Sequence, residues 1–356
     1  MKNELSGAEV RVLARELSTM LQGAIFDKAY QVGERELVLR FRGRGSLDVV
    51  AAPNYICATR YRRPAPKTPS SFAMQLRKRL GGERVTSVSQ HGFDRIVEIR
   101  FENHMLIIEL FSKGNVILTL NDWKIIGLLE WQRWKDRTLG VGRVYEHPPG
   151  GPEPGSISEG EFVESLETSG KSVASTLATR YNLGGRYAEE VCKAAGQDPK
   201  AKYGGAGGDA IWKAYRSFME KVDLPPDARI QEDDVTAFGG EGEPRNTFND
   251  AVDDYFSRRE DADRKDRRDT EDIVRRAKIS EILAKQEAAY AMATEDSVSE
   301  QLAGDMIYQR MGELNAAYRI VKDGRKSGLS NEEITKKLAD IGILAEVKGH
   351  ELTVEL

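Results

Sequence analysis

The chain is poor in the residues that usually carry catalysis or metal binding. Its 356 residues include two cysteines and four histidines. Cys57 and Cys192 lie far apart, with no CxxC partner and no histidine close by in sequence, so they read as small buried residues rather than nucleophiles or ligands. His91, His104, His147 and His350 are scattered without metal-ligand spacing, and neither metal nor cofactor is expected. No P-loop, dinucleotide fingerprint or Ser-His-Asp set occurs, so the chain reads as a binding protein, not an enzyme. No apolar run reaches ~18 residues, which argues against a membrane span. The opening MKNELSGAEVRVLARELS is amphipathic and lacks the apolar stretch of a signal peptide, so a cytoplasmic location is expected.

Charge is plentiful but unevenly placed. The net charge is −4, yet residues 1–149 carry 24 basic and 16 acidic side chains, and the remainder carries 29 and 41. Within residues 51–100 there are ten Lys and Arg against three Asp and Glu. A basic head on an acidic chain suits a polyanionic partner, and nucleic acid is the natural one.

Local patterns predict an α+β chain. Ser6 and Glu9 form a capping box for a helix reaching about Leu21. Alternating strands are expected at Ala24–Val32, Glu36–Arg42, Leu47–Ala51 and Tyr55–Thr59. Ser70-Ser71 caps a helix over Phe72–Leu80. A meander follows at Val85–Ser89, Ile96–Phe101, Met105–Phe111 and Val116–Leu120, with a further strand at Ile125–Trp131. These make an antiparallel-sheet-rich N-terminal domain over residues 1–149. A Pro/Gly-rich linker is expected over 150–171, a helical domain over 172–225 and an irregular connection over 226–247. A long charged coiled-coil arm is expected over 248–328, with a partial middle domain of small α/β type at 329–356. The block Arg258–Arg276 is too polar to stand without a partner helix, and a second helix is expected from about Val298 to Val321.

The candidate binding residues cluster in three places. Arg77-Lys78-Arg79 covers most of a helix circumference, and Arg60, Arg62, Arg63, Lys67 and Arg84 lie nearby; together they suit phosphate contacts. Asp94-Arg95 sits at a turn between two strands. It reads either as an RNA-contacting arginine oriented by its neighbour or as a solvated turn pair, and the residues alone favour the second. Leu183-Gly184-Gly185 lies between two helices and reads either as a phosphate-gripping hairpin or as an ordinary αα turn.

Several of these stretches together resemble the NFACT family, which includes the nuclear export mediator factor and RqcH-like ribosome quality-control proteins, and whose older annotations read fibronectin-binding protein. The resemblance rests on LARELSTMLQG in the first helix, PAPKTPSSFAMQLRKRL, the Asp94-Arg95 pair before a strand, and ELFSKGNVILT. TRYNLGGRYAEEVCKAAG is similar to the family's helix-hairpin-helix module, and NTFNDAVDDYFSR to the entry of its coiled coil. The resemblance implies a factor that binds the large ribosomal subunit carrying stalled peptidyl-tRNA. It further implies contact with ribosomal RNA and recruitment of tRNA for template-free, alanine-type C-terminal tailing. In that reading Asp94 and Arg95 take part in tRNA recognition. The chain ends within what resembles the family's middle domain, which puts in doubt any activity needing a returning arm. The N-terminal domain also resembles the formamidopyrimidine glycosylase fold, but Met1-Lys2-Asn3-Glu4 lacks the proline nucleophile of those enzymes. Two alternatives remain: a non-catalytic nucleic-acid-binding relative of that fold, and a fibronectin-binding adhesin.

Overall fold

The computed structural model describes residues 2–43, 45–111, 113–134 and 137–355, leaving aside the side chains of 263–269 and 271. Two compact units divide the chain, Met1–Asp263 and Arg264–Leu356.

The first unit begins with α1 (Gly7–Leu21), which forms as its capping box dictates. The Ser6 hydroxyl accepts from the Glu9 amide, and the Glu9 carboxylate accepts from the Ser6 amide. Val10, Leu13, Leu17 and Leu21 recur at spacings of three and four and form its buried face. Strands β1 (Ile25–Gln31), β2 (Leu37–Arg42), β3 (Ser46–Ala51) and β4 (Ile56–Thr59) pair in chain order as one antiparallel sheet. Helix α2 (Ser71–Leu80) is capped by Ser70 and packs on β1 through its apolar face. A second antiparallel sheet follows, β5 (Val85–Gln90), β6 (Ile96–Phe101), β7 (His104–Glu109), β8 (Asn115–Leu120) and β9 (Ile125–Leu128).

The middle of this sheet is buried on both faces. Val97, Ile99, Leu106, Ile108, Val116 and Leu118 share the main core with α1, α2 and the first sheet. Ile96, Met105, Ile107 and Ile117 meet Leu139 and Tyr145 on the other side. Two short strands, β10 (Gln132–Arg133) and β11 (Thr138–Leu139), pair beside it. Ser112, between β7 and β8, lies outside the described residues.

Four helices complete a second core: α3 (Glu159–Thr168), α4 (Val173–Arg180), α5 (Gly184–Ala194) and α6 (Gly208–Asp223). Phe162, Leu177, Tyr181, Tyr187, Tyr215 and Phe218 fill it. The expected linker 150–171 is therefore half helix. Ser158 and Glu161 make a second capping box, and burial of Phe162 and Leu166 holds α3 in place. The expected irregular connection 226–247 is also structured, as β12 (Arg229–Ile230), β13 (Val235–Thr236) and β14 (Glu243–Pro244). Ala228, Ile230, Val235 and Ala237 enter the main core, so no compact-unit boundary falls near residue 149 or 225.

Helix α7 (Phe248–Gln309) starts inside that core with Phe248, Ala251, Val252, Tyr255 and Phe256. The helix expected from Val298 to Val321 is not one piece. Arg310 leaves helical geometry, and α8 runs from Met311 to Lys326 through Gly324. In the second unit, α8, α9 (Asn331–Asp340), β15 (Ala345–Lys348) and β16 (Glu351–Val354) enclose a small core of Ala317, Val321, Ile334, Leu338, Ile343 and Val347. Leu302, Met306, Ile307 and Met311 of the expected stripe are exposed, and no second helix covers them among the described residues. Part of the Arg258–Arg276 block has side chains that lie outside the described residues.

Candidate nucleic-acid interface

The turn between β5 and β6, the N-terminus of α1 and the turn between α4 and α5 meet at one place. The Gly7 amide donates to the Asn182 carbonyl at 2.8 Å, and Gln90 Nε2 bridges the carbonyls of Gly7 and Asp94 at 2.8 and 2.7 Å. A side chain at Gly7 would run into the Phe93 carbonyl, so glycine is what allows this approach. Asn182 holds φ 50°, a left-handed conformation that asparagine tolerates, and this turns the chain between α4 and α5.

Asp94 and Arg95 have different partners. Asp94 Oδ1 accepts from Asn182 Nδ2 at 2.5 Å, and the other oxygen sits where a side chain at Gly150 would be. Arg95 Nη1 instead lies 2.5 Å from Glu4 Oε2. The Arg95 side chain is 24% exposed and that of Glu4 is 60% exposed, so their pairing is a solvent-screened one that a stronger anion can displace. Asp94 positions; Arg95 faces outward.

Arg95 lines a cleft of about 730 Å³ together with Glu4, Ser6, Asn182, Gly184, Gly185 and Arg186. Two of the three candidate groups thus come together here. Gly184 has φ 72° and opens α5, whose N-cap makes no side-chain hydrogen bond, and Gly184, Gly185 and Arg186 of its first turn line the cleft. The cleft is not uniformly basic. Lys2 pairs with the fully buried Glu9 and with Asp234, and Arg186 pairs with Asp234 and Glu190. Glu9 also accepts from Tyr187 Oη at 2.5 Å, and burial, reinforced by Glu9, pushes the Tyr187 hydroxyl well above its usual range. An uncapped helix start, a displaceable arginine and acceptors on Glu4 and Asn182 are the groups from which a nucleotide's phosphate and base edges could draw contacts.

The basic triplet lies elsewhere. Arg77 Nε donates to the Ala29 carbonyl at 2.9 Å, and its guanidinium stands 4.8 Å from the Tyr30 ring centroid, with Arg40 at 5.7 Å from the same ring. Tyr30, Arg40, Arg60, Tyr61 and Arg62 line a groove of about 660 Å³. Arginines on tyrosine rings are what single-stranded nucleic acid stacks against. Lys78, Arg79 and Lys67 are exposed, with no ion-pair partner among the described residues. Arg84 lines a separate cleft with Arg42 and donates to the Gly23 carbonyl at 2.7 Å.

Arg63 is a correction. Its side chain is only 2% exposed, with Glu36 at 2.7 Å, Glu260 at 3.0 Å and hydrogen bonds to Tyr55 and Thr59. A guanidinium so enclosed ties β4 to α7, and although Arg63 also borders the Tyr30 groove its charge is engaged by these partners. Sequence reasoning missed Glu4, Arg186, Tyr30 and Arg40. Asn182 was missed too, although its place before the Gly-Gly turn is a local signal; nothing local marks Glu4 as a partner of Arg95.

The sequence profile of the family described as NFACT N-terminal and middle domains matches residues 6–339. The archaeal Rqc2 homolog aRqcH of Methanocaldococcus jannaschii is 29% identical over 355 residues, covering 91% of this chain and 51% of its own length. Ribosome quality control complex subunit 2 of Saccharomyces cerevisiae is 31% identical over 187 residues, 51% of this chain and 17% of its own. The chain therefore spans about half, or less, of these curated relatives. Among solved structures, the N-terminal part of the fibronectin/fibrinogen-binding protein from Streptococcus suis superposes with a TM-score of 0.59 at 24% identity, covering 71% of this chain and 99% of its own. The fibrinogen binding protein from Staphylococcus aureus gives 0.57 at 20%, covering 70% and 97%. These two likenesses concern the fold alone. Among the described residues no helix is long and apolar enough to cross a membrane.

Proposed function

The chain belongs to the NFACT family, and from that membership we propose that it is a cytoplasmic ribosome quality-control factor. It binds the large ribosomal subunit carrying a stalled peptidyl-tRNA and recruits tRNA for template-free, alanine-type tailing. The protein supplies no catalytic group in this reading. Peptide bonds form in the ribosome's own centre, and the work of this chain is to hold RNA in place. The α4–α5 turn acts as a helix-hairpin-helix grip, and the Tyr30 groove with Lys78 and Arg79 holds ribosomal or transfer RNA by its backbone.

The observation that carries this reading is the cleft in which Arg95 stands beside Gly184 and Gly185. The two stretches lie far apart in sequence, and the family resemblance gives each an RNA contact that its residues alone leave open. Arg95 can exchange Glu4 for a phosphate or base edge without exposing a buried charge.

Cosedimentation with large subunits, paired with tRNA titration, tests the proposal. The parent chain should pellet with subunits carrying peptidyl-tRNA, and Arg95→Ala should lose tRNA affinity by about 10-fold or more, the scale of one charge-assisted hydrogen bond. Failure to pellet removes the ribosomal role. Unchanged tRNA affinity in Arg95→Ala removes the cleft from the reading.

A further inference from the structure

Away from the cleft, the fold gathers three side chains that no spacing along the chain groups together. His91 stands in the turn after β5, Glu98 in the middle of β6, and His147 in the segment leading toward α3. Glu98 Oε1 lies 2.8 Å from His147 Nε2 and 3.5 Å from His91 Nδ1. One donor atom from each residue lies within 4.8 Å of the others. We propose that His91, Glu98 and His147 form a binding site for one divalent transition-metal ion of the zinc class. Sequence spacing shows no ligand pattern among the histidines, and the fold is what brings two of the four together.

The donor set fits. Two imidazoles and a carboxylate suit zinc, with the remaining positions open to water. Glu98 is 7% exposed and fixed in a central strand, and its second oxygen faces Arg100 at 3.4 Å, which orients the carboxylate.

The present ring geometry is that of a preformed but unclosed site. The two imidazoles lie nearly parallel, at 8°, with centroids 3.4 Å apart. Lone pairs of parallel rings do not converge, so one ring must tilt to share an ion. His147 is held edge-on by Trp123 at 4.9 Å and Tyr145 at 5.0 Å. His91 is 38% exposed on its turn and is the ring with room to move. The plain alternative is a hydrogen-bonded cluster that merely fastens the 147 segment to the sheet.

Zinc titration of the full chain after chelator treatment separates the two, with Co²⁺ as the spectroscopic probe. The expected result is one equivalent bound at micromolar concentration or tighter. Co²⁺ should develop the visible absorption of nitrogen-ligated ion and quench Trp123, which touches His147. His147→Ala and Glu98→Gln should each weaken binding about 10-fold or more. His104→Ala, whose ring pairs with Glu83 elsewhere, should leave binding unchanged. No saturable single equivalent, or an affinity indifferent to both His147→Ala and Glu98→Gln, overturns the site. So does a Co²⁺ spectrum of the unaltered protein that stays that of the aquo ion, whatever the variants do.

Discussion

Asp94 and Asn182 are joined across 88 positions of sequence by a hydrogen bond of 2.5 Å, and this bond fastens the β5–β6 turn to the α4–α5 turn. The Arg95 side chain, one residue on, pairs with Glu4 at the cleft rim and with no other charged group among the described residues. The neighbours should therefore separate in experiment. Asp94→Ala removes a half-buried charged acceptor and should cost about 1.5–3 kcal/mol in denaturant unfolding. Arg95→Ala should stay within about 0.5–1 kcal/mol. Equal costs would mean that Asp94 is not the fastening.

Gly7→Ala sets helix propensity against space. Alanine is favoured over glycine by about 1 kcal/mol inside a helix. Here the added methyl would strike backbone oxygens of Phe93 and Asn182, which cannot step aside as a side-chain end can. Overpacking of about 1–3 kcal/mol should win. A net loss of stability, with weaker tRNA binding because Arg95 is displaced, is the expected outcome; a stabilised variant would show that the turn yields easily.

Arg63 and Arg79 carry the same charge with opposite consequences. Arg63→Ala removes an enclosed guanidinium that two carboxylates, Tyr55 and Thr59 all contact, and should destabilise by about 3 kcal/mol. Lys78→Glu with Arg79→Glu should leave the melting temperature nearly unchanged. It should also lower the slope of log affinity against log salt by about 1 for each phosphate no longer neutralised. RNA titrations at several salt concentrations read this directly. An unaltered slope would move the backbone grip off α2.

Asp254 supplies a pH test. Burial opposes its ionisation, but hydrogen bonds from Arg245, Tyr61 and Arg60 outweigh burial and hold the carboxyl below its usual range. Such a group adds stability that is fully present above the unfolded value of about 3.9 and disappears as pH falls through the folded value. Asp254→Asn should be less stable than the parent at neutral pH, and the gap should narrow only as pH falls below the ordinary aspartate range. A gap that is constant with pH would assign the effect to shape rather than charge.

The second half of α7 makes a further prediction. Ile282, Leu283, Tyr290, Leu302 and Met306 are exposed along it, and a helix without a packed apolar face has little to resist fraying. Amides over residues 276–306 should exchange within seconds to minutes, while Ile96–Leu120 stays protected far longer. Equal protection in a demonstrated monomer would show the helix to be self-sufficient.

Local chemistry determined what the sequence by itself could determine. The Ser6–Glu9 box, the Ser70 cap, the alternating strands and the turn glycines act within a few residues, so α1, α2 and both sheets were legible from pattern alone. The capping box at Ser158 and Glu161 was equally local, but the surrounding prolines and glycines masked it. Charge polarity and the family motifs were likewise written along the chain. What only the tertiary structure decided depends on distant partners. Arg63 reads like its basic neighbours until Glu36 and Glu260 close around it, and Arg95 is separated from Asp94 in role only because Glu4 and Asn182 arrive from elsewhere. His91, Glu98 and His147 become one cluster through strand register and the return of the chain past Tyr145. Burial and ion pairing are properties of side chains brought together by packing, and no spacing along the chain encodes them.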